Sequence, residues 1–204
     1  MSRLSHLRRA LDKLFEARRD LYNRTNHLSE EDLLFKPAPD SWSVGEVMDH
    51  IIKSETQFVA QLRRRLERPS GDPADDTLLS HLMRPFIYAG LIYGSSLIKF
   101  EAAKEIRPVH GYPHMYLIHK LALVREVTFD IAERLARRDQ TVYLKDVRTG
   151  TVFSGEDWLY LIGLHEERHV GQVERVLAAL EASKKKGPKE KELEEAPEMM
   201  EEVA

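Results

Sequence analysis

The stretch Ser154-Gly155-Glu156-Asp157-Trp158, followed seven residues on by His165-Glu166-Glu167-Arg168-His169, decides how this chain reads. Ser154 to Asp157 has the form of a helix N-cap, with a hydroxyl and a carboxylate three residues apart. With Trp158 at 0° and ~100° per residue, Ile162, Val173, Val176 and Leu180 fall within about 60° of one another. This apolar stripe predicts a helix running to about Ser183. His165 at about 340° and His169 at about 20° lie inside it, where a plain core asks for Leu or Val. Two imidazoles one turn apart in a dry interior need either separate polar partners or a shared metal ion.

Three further segments carry helical periodicity. Leu4, Leu7, Leu11, Leu14, Phe15, Leu21 and Tyr22 mark the first. Ser43-Val44-Gly45-Glu46 is a capping box that opens the second, which runs to about Glu67 before Pro69-Ser70-Gly71-Asp72-Pro73 stops it. The third starts near Pro113 and continues through Leu117, Leu121, Val124, Thr128, Ile131 and Leu135. Four amphipathic helices without a strand series predict an all-α fold, a four-helix bundle with long crossover connections. A short extra helix, about Leu78–Ser95, is expected between the second and third helices. Thr141 to Phe153 reads as a small hairpin or extended loop around Thr149-Gly150. The bundle is expected over residues 1–183. Residues 184–204 hold 5 Lys and 7 Glu with one Leu and no aromatic, and are expected to form a solvated, disordered tail.

Composition narrows the chemistry. The chain has 204 residues, no cysteine and 9 histidines. Disulfide scaffolds, iron–sulfur clusters, cysteine-ligated zinc and a cysteine nucleophile are all excluded. With 31 basic and 34 acidic residues the net charge is −3, so no global field recruits nucleic acid or an anionic membrane. Arg63-Arg64-Arg65 and Arg137-Arg138 sit at helical spacing with Leu and Glu and read as solvated faces. Charges interrupt the first residues, and Pro85–Ile98 is too short and too broken by Gly and Ser to span a bilayer. A cytoplasmic location is expected.

A metal shared by His165 and His169 needs a third ligand. His50 in Asp49-His50 is one candidate, but it lies about 60° outside the apolar stripe of its helix, and spacing does not select it over His114 or His119. His165-Glu166-Glu167-Arg168-His169 also satisfies the HExxH pattern of zinc proteases, in which the Glu is a general base. A protease of that kind needs a downstream ligand set in a substantial fold, and only the Lys/Glu tail follows closely. Glu166, at about 80°, keeps a role behind the ligands or as a base, beside the plain reading of a helix-flank glutamate.

The segments Trp42-Ser43-Val44-Gly45-Glu46-Val47-Met48-Asp49-His50 and His165–Val173 resemble the DinB-like superfamily, as does the glycine-containing loop before Ser154-Gly155-Glu156-Asp157-Trp158. The resemblance spans residues 4–183. It implies a four-helix bundle and a divalent metal, zinc or nickel, held by His50, His165 and His169. It also implies a small-molecule substrate and one of two activities, a hydrolase or an S-transferase that uses a low-molecular-weight thiol. With no cysteine in the chain, that thiol comes from a cosubstrate. Family members often form homodimers, and the apolar Ile87–Tyr93 segment offers a surface for one. The alternative is a non-catalytic metal-binding or interaction bundle.

Overall fold

The computed structural model describes residues 2–67, 82–83, 86–87, 104–139, 141–146 and 151–194, with side chains as far as Lys185. Helix α1 spans Arg3–Thr25, and the Ser2 side chain accepts a hydrogen bond from the Ser5 amide at its start. A short helix α2, Glu30–Leu34, follows behind a reciprocal capping box of Ser29 and Asp32. Helix α3, Val44–Leu66, opens with the expected box of Ser43 and Glu46. A single 3-10 turn at Lys104–Ile106 precedes α4, His114–Ala136. Strands β1, Tyr143–Lys145, and β2, Val152–Ser154, pair antiparallel with Tyr143 opposite Ser154, which is the expected hairpin.

Helix α5 begins at Gly155 and its backbone stays helical to Glu194, past the Ser183 boundary read from the apolar stripe. Lys and Glu are good helix formers even where nothing apolar is left to bury. Its N-terminus is the second predicted box: the Asp157 amide donates to Ser154 Oγ at 3.0 Å and the Ser154 amide to Asp157 Oδ2 at 3.1 Å. Most of the extra helix expected over Leu78–Ser95 lies outside the described residues; Leu82, Met83, Phe86 and Ile87, which are described, are helical. Among the described residues no helix is long and apolar enough to cross a membrane.

The four long helices form the bundle. Helix α1 lies mainly along α5, and α3 packs against both α4 and α5. The α1–α5 approach is close at Gly163, where a Cβ would stand 2.7 Å from Lys13 Cγ and 3.1 Å from the Leu14 backbone nitrogen. Helix α2 is more than a connector, because the Glu30 carboxylate accepts from the His114 amide at 3.0 and 3.1 Å. That carboxylate supplies the N-cap that Pro113 does not provide.

The apolar interior falls into two clusters. One gathers Leu14, Leu62, Ile131, Phe153, Trp158 and Ile162. The other gathers Leu21, Met48, Ile51, Leu121 and Val173. In every long helix one buried charged residue lies between members of the two clusters: Arg18, Glu55, Arg125 and Glu166. Arg18 reaches Glu166 Oε1 at 2.5 Å and Glu55 Oε2 at 2.8 Å. Arg125 reaches Glu55 Oε1 at 2.8 Å and also bonds Glu166 Oε2. Thr128 donates to Glu55 Oε1 at 2.6 Å. The remaining guanidinium donors go to main-chain carbonyls, Arg18 to Leu121 and Arg125 to Leu14. Burial alone would raise the Glu55 pKa, but Arg125 and Arg18 more than offset it and hold the carboxyl below its ordinary value. The quartet is charge-balanced and hydrogen-bonded throughout, the condition under which buried ions are tolerated.

Two substitutions test this packing. Glu55→Ala leaves two guanidinium groups facing a void and should cost about 3–5 kcal/mol, read from the urea midpoint. A loss below about 1 kcal/mol would show that the quartet does not hold the helices together. Gly163→Ala pushes a methyl against the α1 backbone and should cost about 1–3 kcal/mol in the same assay.

Candidate metal centre

His165 and His169 project from successive turns of α5, and α3 brings His50 to meet them. The ring centroids stand 4.6 Å apart for His165–His169, 4.7 Å for His50–His169 and 5.3 Å for His50–His165. One ring nitrogen from each lies within 4.8 Å of the others. His50 and His169 are buried and His165 is half-buried. The wheel placed His50 outside its apolar stripe, yet it is 4% exposed. The cover comes from a segment that carries no helical periodicity, the crossover at residues 104–109. That segment is clipped to one face of α3 three times. His50 Nδ1 bonds the Ile106 carbonyl at 2.8 Å, Lys53 Nζ bonds the Arg107 carbonyl at 2.9 Å, and the Val109 amide donates to Asp49 Oδ2 at 2.7 Å.

These outer bonds set the chemistry of the rings. A carbonyl can only accept, so Nδ1 of His50 carries the proton and Nε2 keeps its lone pair. His169 Nδ1 is 2.9 Å from Gln172 Oε1, which imposes the same tautomer. Ser54 Oγ is 3.4 Å from His50 Nε2. Burial lowers the His50 pKa, and the positive charge of Arg168 adds to it. His169 is pushed from 6.5 down to about 3, mainly by burial and then by His50, with Arg168 and Arg175 contributing in the same direction. Neutral imidazoles with an inward lone pair are the form in which histidine ligates a metal.

Aromatic rings wall the group. Trp42 lies 4.9 Å from the His50 ring and 6.4 Å from His169, nearly parallel to the latter, and Phe58 lies 6.0 Å from His165. Trp158, 2% exposed, packs behind with Phe58 and Phe153.

The other candidates fall elsewhere. Among the described residues the three-histidine group excludes His114, which sits at the α4 N-terminus, and His119, which is exposed. Glu166 directs its two carboxylate oxygens to Arg18 and Arg125 in the bundle's waist. Sequence reasoning gave no role to Gln172 or to the 104–109 crossover. For Gln172 a signal existed, an amide three residues beyond His169 on the same helix; for the crossover there was none.

The family model of the DinB superfamily matches residues 13–173, and the chain belongs to that superfamily. It is 25% identical over 170 residues to the uncharacterized protein YuaE of Bacillus subtilis, covering 81% of this chain and 96% of that protein. The structure of YfiT from Bacillus subtilis, described as a probable metal-dependent hydrolase with an unusual four-helix bundle topology, superposes with a TM-score of 0.54. That match covers 88% of this chain and 90% of YfiT at 14% identity, and it establishes the common fold.

The depressed His169 pKa has a testable sign. Between pH 6.5 and about 3 the unfolded chain binds a proton at this position that the folded chain does not. The metal-free protein should therefore hold this share of its stability above pH 6.5 and lose it as the pH falls toward 3. Thermal melts at pH 7.5 and 5 should show a smaller loss for His169→Gln than for the wild type.

Proposed function

We propose that the chain is a divalent-metal-dependent enzyme acting on a small molecule, with His50, His165 and His169 as the metal ligands. The observation that carries this reading is the convergence of the three ring nitrogens within 4.8 Å of one another. The donor set fits a divalent ion such as zinc or nickel: three neutral nitrogens, two of them held in the ligating tautomer by Ile106 and Gln172. Three protein ligands leave a position open, the pattern of catalytic rather than closed structural sites. Such an ion, when bound, supplies Lewis acidity toward a carbonyl, a water or a thiol.

The chain's own residues do the rest. Gln172 and the Ile106 carbonyl orient two of the rings, and Trp42 and Phe58 pack against the group. Glu166 is a positioning residue rather than a base, because both its oxygens are committed to Arg18 and Arg125. Hydrolysis is the activity named for the structurally similar YfiT. Thiol-dependent S-transfer is the second activity; with no cysteine in the chain, its thiol would come from a cosubstrate.

Zinc and nickel titrations of tag-free protein test the reading. The wild type should take up stoichiometric metal, and His165→Ala/His169→Ala should abolish uptake. Gln172→Ala should weaken affinity about 10–100-fold, as loss of an outer-layer partner does. A wild type that takes up no stoichiometric metal contradicts the proposal. Metal-loaded protein screened with ester and amide substrates, and with thiols plus electrophiles, separates enzyme from inert binder.

A further inference from the structure

Helix α3 turns a buried hydroxyl toward the three-histidine centre. His50, Ser54 and Phe58 recur every four residues and share one face of the helix. Both outer members of this row stand against His165, the His50 ring at 5.3 Å and the Phe58 ring at 6.0 Å. Ser54 lies between them and is 3% exposed. Its Oγ is 3.4 Å from His50 Nε2. Because Nδ1 of that ring donates to the Ile106 carbonyl, Nε2 is the acceptor and Ser54 the donor. The hydroxyl proton therefore points at the same lone pair that would ligate a metal.

A helix does not impose that direction. Helical Ser and Thr commonly turn the hydroxyl back to the carbonyl four residues earlier. Thr25, Thr56 and Thr128 do so, bonding the carbonyls of Leu21 at 2.9 Å, Ile52 at 2.7 Å and Val124 at 3.0 Å. Ser54 has His50 four residues back, and it bonds the ring of that residue instead of its carbonyl. An ion held by the three histidines takes the Nε2 lone pair, and Ser54 then loses its acceptor. A buried hydroxyl without a partner is unfavourable. Whatever group fills the open coordination position brings a new acceptor to the same place.

We propose that Ser54 anchors the exogenous group at the open position of the metal centre, by donating a hydrogen bond to its ligating atom. The proposal rests on the metal reading above. Hydrogen bonds from a neutral donor to an ionised acceptor are stronger than those to a neutral one. Ser54 therefore favours substrates or cosubstrates that ligate as anions, a carboxylate or a thiolate among them. The hydroxyl keeps its proton throughout: it orients the incoming group and does not act as a base. Its competing resting place is the His50 carbonyl one turn back, the partner that the threonines choose.

Azide titration of the cobalt-loaded full chain, followed by the visible spectrum of the ion at constant pH, tests this. Azide is a small anion that reports the open position directly. Ser54→Ala should weaken azide binding about 10-fold, the loss expected for a hydrogen bond to a charged group. Ser54→Thr keeps the hydroxyl and should bind azide more tightly than Ser54→Ala. Cobalt affinity should stay within about 3-fold of the wild type in both variants, since the three imidazoles remain. Azide affinity unchanged in Ser54→Ala overturns the proposal and leaves the hydroxyl on the His50 carbonyl. A loss of cobalt affinity as large as the loss of azide affinity also overturns it, because Ser54 would then act through the His50 ring. So does a wild type that takes up cobalt but whose spectrum azide does not change. A wild type that takes up no cobalt overturns the metal reading, and this inference with it. Alanine removes one atom and is a better helix former than serine, so Ser54→Ala stays folded.

Discussion

Two arginines and two glutamates, one from each long helix, meet in the interior of this bundle and neutralise one another. Apolar side chains can slide past each other at small cost, whereas Arg18, Glu55, Arg125 and Glu166 are satisfied in one arrangement. A shift of any helix by one turn would leave a buried charge unpaired, which costs several kcal/mol. The quartet therefore sets the register of all four helices. Glu55 follows His50 by five residues and Glu166 follows His165 directly, so the register that satisfies the ions is also the one that brings His50 against His165 and His169.

The site inherits its character from that frame. Helix α5 supplies two imidazoles and α3 the third. The crossover at 104–109 turns a surface-facing histidine into a buried one by laying a carbonyl against its Nδ1. Burial and neighbouring positive charge then keep His50 and His169 neutral, ready to ligate. Trp42 packs against the rings of His50 and His169, and Phe58 against His165. Membership of the DinB superfamily and the YfiT-like fold agree with this architecture.

Much of this was legible in the sequence, for identifiable reasons. The boxes at Ser43–Glu46 and Ser154–Asp157 announced α3 and α5, and the apolar stripe of α5 exposed His165 and His169 as misplaced polar residues. His50 was not readable from the wheel, because its cover is an irregular loop and periodicity reports only regular elements. The resemblance to a family supplied it. Helix α2 went unread although Ser29-Glu30-Glu31-Asp32 is a capping sequence, since five residues are too few to show a period. The quartet was missed because charged residues are presumed solvated. Arg125 gave a signal all the same, standing among Leu121, Val124 and Thr128 on the buried face of α4.

The central claim is that His50, from a different helix, completes a metal-binding set with His165 and His169. X-ray absorption spectroscopy on zinc-loaded protein tests it most directly. Three imidazole nitrogens at ~2.0–2.1 Å from the ion are predicted for the wild type, falling to two in His50→Ala. A wild-type spectrum with two or fewer imidazoles, or one unchanged by His50→Ala, would contradict the account.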